Sequence, residues 1–168
     1  MAGKEPVTAR PFNADEPRPL PEWPEARRRL ADQGTYWLAT VCPDGRPHVV
    51  PLLGVWLDGA LHFTSNANAR KARNLANSSH CVVTTGGPAL DLVVEGQAAR
   101  VRDEAKLHRA AQVYASKYGW QVTVRDGAFY GEGAPTAGPP PYELYEVTPT
   151  AVFGFGTDET FGAVRWAF

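Results

Sequence analysis

The chain has little of what most enzyme chemistry is recognised by. It holds two cysteines, Cys42 and Cys81, and neither C-x-x-C nor H-E-x-x-H occurs, so no metal-ligand spacing is present. Each cysteine lies in an apolar run and reads as a small buried hydrophobe. No run of about 18 apolar residues exists, which excludes a membrane-spanning helix. The first residues, Met1-Ala-Gly-Lys-Glu-Pro, lack the apolar core of a signal peptide, and the expected location is the cytoplasm. Charge of one sign is also missing: the formal net charge is −1. No global field draws nucleic acid or an anionic membrane to this surface, which argues against a nucleic-acid-binding barrel, and any anion site must be local. There is no Ser-His-Asp order, no paired-carboxylate spacing and no Walker-type glycine loop. Reactivity is therefore expected from a cofactor.

What is present is ordinary globular composition, 43% apolar and 21% charged over 168 residues, enough for a single domain with a real core. Residues 1–20, rich in proline and charge, read as a flexible tail, and residues 21–168 as the domain. Pro21 to Gln33 has Trp23, Ala26, Leu30 and Ala31 at helical spacing, ended by Gly34. Thr35–Cys42, Pro47–Leu57 and Ala60–Ser65 read as three strands joined by the turns Pro43-Asp44-Gly45 and Asp58-Gly59, an antiparallel meander. Asn68–Asn77 reads as a short helix capped by Asn68, and His80–Thr85 and Ala89–Arg102 as further strands. Asp103 caps a helix that Gly119 closes, with Leu107, Ala110, Ala111, Tyr114 and Tyr118 on one face. Gln121–Ala137 has no pattern. Tyr142–Phe155 and Val164–Phe168 supply the last strands. The fold class is mainly β (α+β), a six-stranded antiparallel barrel with appended helices.

The informative stretch runs from Phe63 to Leu75, out of a strand, through a small polar loop and into a helix. From Gly59 to Leu90 there is no Asp or Glu, yet Arg70, Lys71 and Arg73 fall together. Cations in the first turn face the positive end of the helix dipole, at a cost of a few tenths of a kcal/mol each. A bound anion reverses that sign, because free N–H groups, the dipole and the cationic side chains then act together. Thr64 and Ser65 add hydroxyl donors. His48 and His62 lie singly in apolar strands and read as structural. Asp91 fits a turn as well as a ligand-facing position. Trp37, Trp56 and Phe63 read as core, and Trp166 and Phe168 as cover for a planar ligand or a second subunit.

Several short pieces, in order, carry a resemblance. They are Leu38-Ala-Thr-Val with Gly45 and Pro47, then Phe63-Thr64, Arg70-Lys71-Ala72 with Leu75, Glu95-Gly-Gln-Ala98 and Arg165-Trp166. From Trp37 to the C-terminus the chain resembles the pyridoxamine 5′-phosphate oxidase-like family of FMN-binding split barrels. The resemblance implies a homodimer with the cofactor at the interface and FMN phosphate held by Thr64, Arg70 and Lys71. It also implies that the backbone of Val49, Val50 and Pro51 lies along the flavin ring. Asp91, Phe155, Arg165 or Trp166 of the second subunit would complete each site. The spacing Lys71-x-x-Asn74-Leu75 also resembles the branch that uses coenzyme F-420, so that cofactor stands as the alternative to FMN. The family's namesake carries cations along the second strand. Here that strand is Pro47-His-Val-Val-Pro-Leu-Leu53, which argues against vitamin B6 oxidation. The implied function is hydride transfer between FMN, or F-420, and a small conjugated organic molecule. The alternative is a non-catalytic flavin or deazaflavin carrier.

Overall fold

The computed structural model describes residues 4–132 and 137–168. Eleven strands and three helices follow one another as β1 (Thr8–Pro11), α1 (Trp23–Asp32), β2 (Tyr36–Val41), β3 (Pro47–Leu52), β4 (Gly54–Leu57) and β5 (Ala60–Ser65). After these come α2 (Arg70–Asn77), β6 (His80–Thr85), β7 (Leu90–Arg100), α3 (Glu104–Tyr118), β8 (Thr123–Arg125), β9 (Ala128–Tyr130), β10 (Glu143–Gly156) and β11 (Ala163–Ala167). Nine strands form one antiparallel sheet with the path β1-β11-β10-β7-β6-β2-β3, while β4 pairs with β5 and β5 with β10.

The split architecture comes from β10. Along one edge it pairs with β7 throughout. Along the other, its first half, Glu143–Val147, pairs with β5, and its second half, Ala151–Phe155, pairs with β11. The ladder shifts register between Pro149 and Ala151, as proline lacks the N–H a regular ladder needs. Gly96 sits opposite that point, and a Cβ there would stand 2.4 Å from the Thr148 carbonyl oxygen. Only glycine permits that approach.

The mainly antiparallel β class and the split, unclosed barrel are as expected, but the count of six strands is not. The run 47–57 breaks at Leu53, so that β3 pairs only with β2 and β4 turns away to pair with β5. The sheet therefore ends at β3 with a free edge. Within residues 1–20, Thr8–Pro11 is a strand on β11 rather than tail. Part of the patternless stretch 121–137 forms the β8–β9 hairpin. Gly133 to Thr136, the rest of that stretch's tip, lie outside the described residues.

Two apolar clusters flank the sheet. One gathers Trp23, Leu30, Tyr36, Leu38, Phe63, Leu75, Val83, Leu92 and Trp166 beneath α1 and α2. The other gathers Val55, Leu107, Ala110, Tyr114, Trp120, Phe129 and Leu144 beneath α3. α3 has the caps expected from sequence: the Lys106 N–H donates to Asp103 Oδ1 at 2.7 Å, and Gly119 takes φ 67°. Cys42 and Cys81 are both buried free thiols, and burial pushes the Cys81 thiol up to about 12. No described helix is long and apolar enough to cross a membrane.

Candidate functional site

The end of β5 and the start of α2 place the sequence-derived anion segment at one corner of the sheet. α2 starts at Arg70, and its N-cap is Ala69, not Asn68. Asn68 instead donates its N–H to Asn66 Oδ1 at 2.9 Å, an Asx turn that sets the loop before the helix. No side chain caps α2, so its first N–H groups remain available to a ligand.

Arg70 and Lys71 occupy the first two helical positions. Among the described residues no carboxylate pairs with Arg70, Lys71 or Arg73, although most other arginines carry such a partner. Lys71 is half-buried, and desolvation pulls its ammonium below the usual lysine range. A half-buried cation without a counter-ion, beside a helix N-terminus, is a site electrostatically prepared for an anion.

α2 is held against β2 by Asn74. Its side-chain amide donates to Thr40 Oγ1 at 2.9 Å and reaches Cys42 Sγ at 3.7 Å. Asn74 is buried, so its contribution is to seat the helix. Phe63 stacks on Tyr145 in the core, with ring centroids 5.3 Å apart. Ser65 is buried, and its hydroxyl donates to the Asn66 carbonyl, shaping the loop. Thr64 lies on the opposite face of β5, half-exposed, in register with Leu144. On the edge strand, Val49 and Pro51 point to the outer face and are exposed, while Val50 packs toward the core.

The remaining expected residues are elsewhere. Arg165 lies on β11 and points to the outer face of the sheet, whereas α2 is bonded to the buried Thr40 face of β2. Asp91 closes the β6–β7 turn, its Oδ1 accepting from the Gly87 N–H at 3.1 Å. Phe155 pairs in register with Asp91 and packs against Phe12. Arg165 is exposed beside the Phe153 ring. Trp166 corrects the expectation of an exposed aromatic: it is 1% exposed and packs edge-on against Trp23 at 5.5 Å. Period-two alternation sends it inward while Arg165 points out. Trp37 was expected in the core and is instead 48% exposed, on the outer face with Val49.

One residue at the corner was set aside from sequence. His48 sits directly across the β2–β3 hairpin from Thr40, the residue that anchors α2. Its Nδ1 is buried without a hydrogen-bond partner. Burial first, then the charges of Arg70 and Lys71, holds its imidazole below the usual histidine range. Its only sequence signal was position, in Gly45-Arg-Pro-His48 at the strand start.

The family model for pyridoxamine 5′-phosphate oxidase matches residues 23–155. The chain belongs to this family. Its fold is shared with solved structures of low identity. A heme binding protein from Mycobacterium smegmatis is 17% identical with a TM-score of 0.62. The alignment covers 80% of this chain and 54% of that one, so the chain spans about half of that protein's length. A FAD-binding protein from Mesorhizobium loti is 16% identical with a TM-score of 0.59, over 96% of this chain and 98% of that one. An F420 reductase is 26% identical with a TM-score of 0.53, over 79% of this chain and 98% of that one. No curated protein sequence matches the chain.

Proposed function

We propose that this member of the pyridoxamine 5′-phosphate oxidase family is an oxidoreductase that holds FMN by its phosphate at the N-terminus of α2. The observation that carries the reading is Lys71, a half-buried ammonium without a carboxylate partner, next to Arg70 in the first turn of a helix without a side-chain cap. These residues fit a phosphate: each charge-assisted hydrogen bond to it contributes about 1.5–3 kcal/mol, against the few tenths that each cation costs at an empty helix start. Coenzyme F-420, which also carries a phosphate, is the alternative, supported by the likeness to an F420 reductase.

The ring, when bound, supplies hydride transfer. The chain supplies binding and orientation. Arg70, Lys71 and the α2 N–H groups fix the phosphate. The free edge of β3 offers the backbone of Val49, Val50 and Pro51 to a planar ring, as no strand occupies that edge. Pro47–Leu53 carries no lysine or arginine, so a second phosphate ester has no partner there. The substrate is a small, weakly polar conjugated molecule, quinone-like or an enone. The protein acts as a homodimer with the cofactor at the interface, and Asp91, Phe155 and Arg165 of a second copy line each site.

Two measurements test this. Lys71→Ala should weaken FMN binding about tenfold to a hundredfold while leaving riboflavin, which lacks the phosphate, nearly unaffected. Equal losses for both ligands would overturn the phosphate assignment. Reduced FMN and reduced F-420 mixed with protein and a panel of conjugated acceptors should be oxidised faster than in protein-free controls. Confirmed binding without such turnover would replace the enzyme by a carrier.

A further inference from the structure

His48 is placed by three independent constraints. The hairpin register sets it opposite Thr40, on the same face of the β2–β3 ribbon. Asn74 bonds to Thr40 and thereby seats α2 over that face. Lys71 precedes Asn74 by three positions and so lies on the same side of the helix, one turn closer to its N-terminus. The imidazole is thus brought under the first turn of α2, where both Arg70 and Lys71 act on it electrostatically.

In the unliganded protein this arrangement is unfavourable twice over. The ring's Nδ1 is buried and unpaired, which costs more than a solvated nitrogen. Two cations oppose its protonation. Acidic groups relieve this little among the described residues: Asp44, in the β2–β3 turn, is held first by Arg46 at 2.8 Å and only last by the charge of Arg70, and β2 offers the uncharged Thr40.

We propose that His48 is a third phosphate-binding residue, its Nδ1–H donating to the same anion that Arg70 and Lys71 hold. This rests on the phosphate reading above and deepens it. An anion between the three groups turns mutual repulsion into shared attraction, satisfies the orphaned nitrogen and favours the imidazolium. Binding of the phosphate then takes up a proton at His48, so the ring becomes more basic in the complex.

The test follows the histidine itself. The ring resonances of His48, assigned by comparison with His48→Asn, are titrated from pH 5 to 8.5 in the free protein, and then with FMN, riboflavin or inorganic phosphate. FMN and inorganic phosphate should each move the His48 midpoint upward by about one pH unit, and riboflavin should not. An unmoved midpoint, or an equal movement with riboflavin, would overturn the proposal. Affinities give a second arm. His48→Leu should bind FMN about tenfold more weakly at pH 6, with riboflavin unchanged. His48→Asn, which keeps a donor near the Nδ1 position, should recover most of that loss. Riboflavin binding retained by both variants reports an intact fold. If Lys71→Ala separates FMN from riboflavin and the His48 variants do not, His48 has no part in a site that is otherwise correct. If Lys71→Ala also fails to separate them, the phosphate reading itself falls.

Discussion

A lysine inside a protein must find acceptors for its ammonium or lose its proton, and Lys117 shows the compromise. Its Nζ donates to Tyr36 Oη at 2.9 Å and to the Gly54 carbonyl at 3.0 Å, beneath the Tyr36 and Tyr118 rings. Desolvation still lowers it from 10.5 to about 8, and Asp32 opposes this only weakly. Between those two values the unfolded chain binds more protons than the folded one, so this group makes stability rise with pH. At pH 7 its burial cost is present in full, and at pH 10.5 it is relieved. Urea midpoints measured from pH 7.5 to 9.5 should climb less in Lys117→Met than in the wild type, and parallel slopes would contradict the assignment. At the same scale, the anion segment was legible because an absence of carboxylates over 59–90 survives translation into three dimensions. His48 was not legible, since its meaning comes from Asn74 seating α2 across β2. Trp166 and Trp37 exchanged places, one inward and one outward. Residue type suggested burial for Trp37, whereas strand alternation, which decides the face, depends on a register that only the folded sheet reveals.

Elements were readable where their pattern was amphipathic. α3 and β6 fall at the expected residues, because a capped periodic helix and a short apolar run are strong local signals. β1 gave no signal because all four of its residues are exposed and its place is fixed by backbone pairing to β11. The break at Leu53 was hidden inside a continuous apolar run. Three elements that sequence could not connect meet at Glu146. His62 Nε2, from β5, donates to Glu146 Oε2 on β10 at 2.9 Å, and Lys106 Nζ, from α3, donates to the same oxygen at 2.5 Å. The hydrogen bond from His62, and then that from Lys106, holds this carboxyl down at about 2 although burial opposes it. A depressed carboxylate stabilises the fold fully above its unfolded value of 4.5, and that contribution is lost as pH falls from there toward 2. Glu146→Gln should cost about 2 kcal/mol at pH 7, read from denaturant unfolding. It should also narrow its deficit as pH falls from 4.5 toward 2, and a deficit constant with pH would place the stabilisation elsewhere.

For the molecule as a whole, the sheet's outer face raises a problem that a single chain leaves unsolved. Trp37 is 48% exposed, Val41 47% and Val49 55%. The hairpin register aligns Trp37 with Pro51, Ala39 with Val49 and Val41 with Pro47, so these residues form one continuous apolar patch. Patches of this kind on soluble proteins mark interaction surfaces. A two-fold partner is the simplest cover, since an isologous contact uses the same patch twice. It would also answer the geometry of the site: Arg165 and Phe155 lie on this outer face, whereas α2 is bonded to the opposite, Thr40 face, and a second copy can bring its own. The expected result is a mass of two chains for the wild type by light scattering at micromolar concentration. Trp37→Glu, which buries an unpaired charge in that contact, should give a mass of one chain and, because the site is then incomplete, weaker FMN binding. A wild-type monomer with and without FMN would overturn the assembly. A dimer unaffected by Trp37→Glu would place the interface on another face.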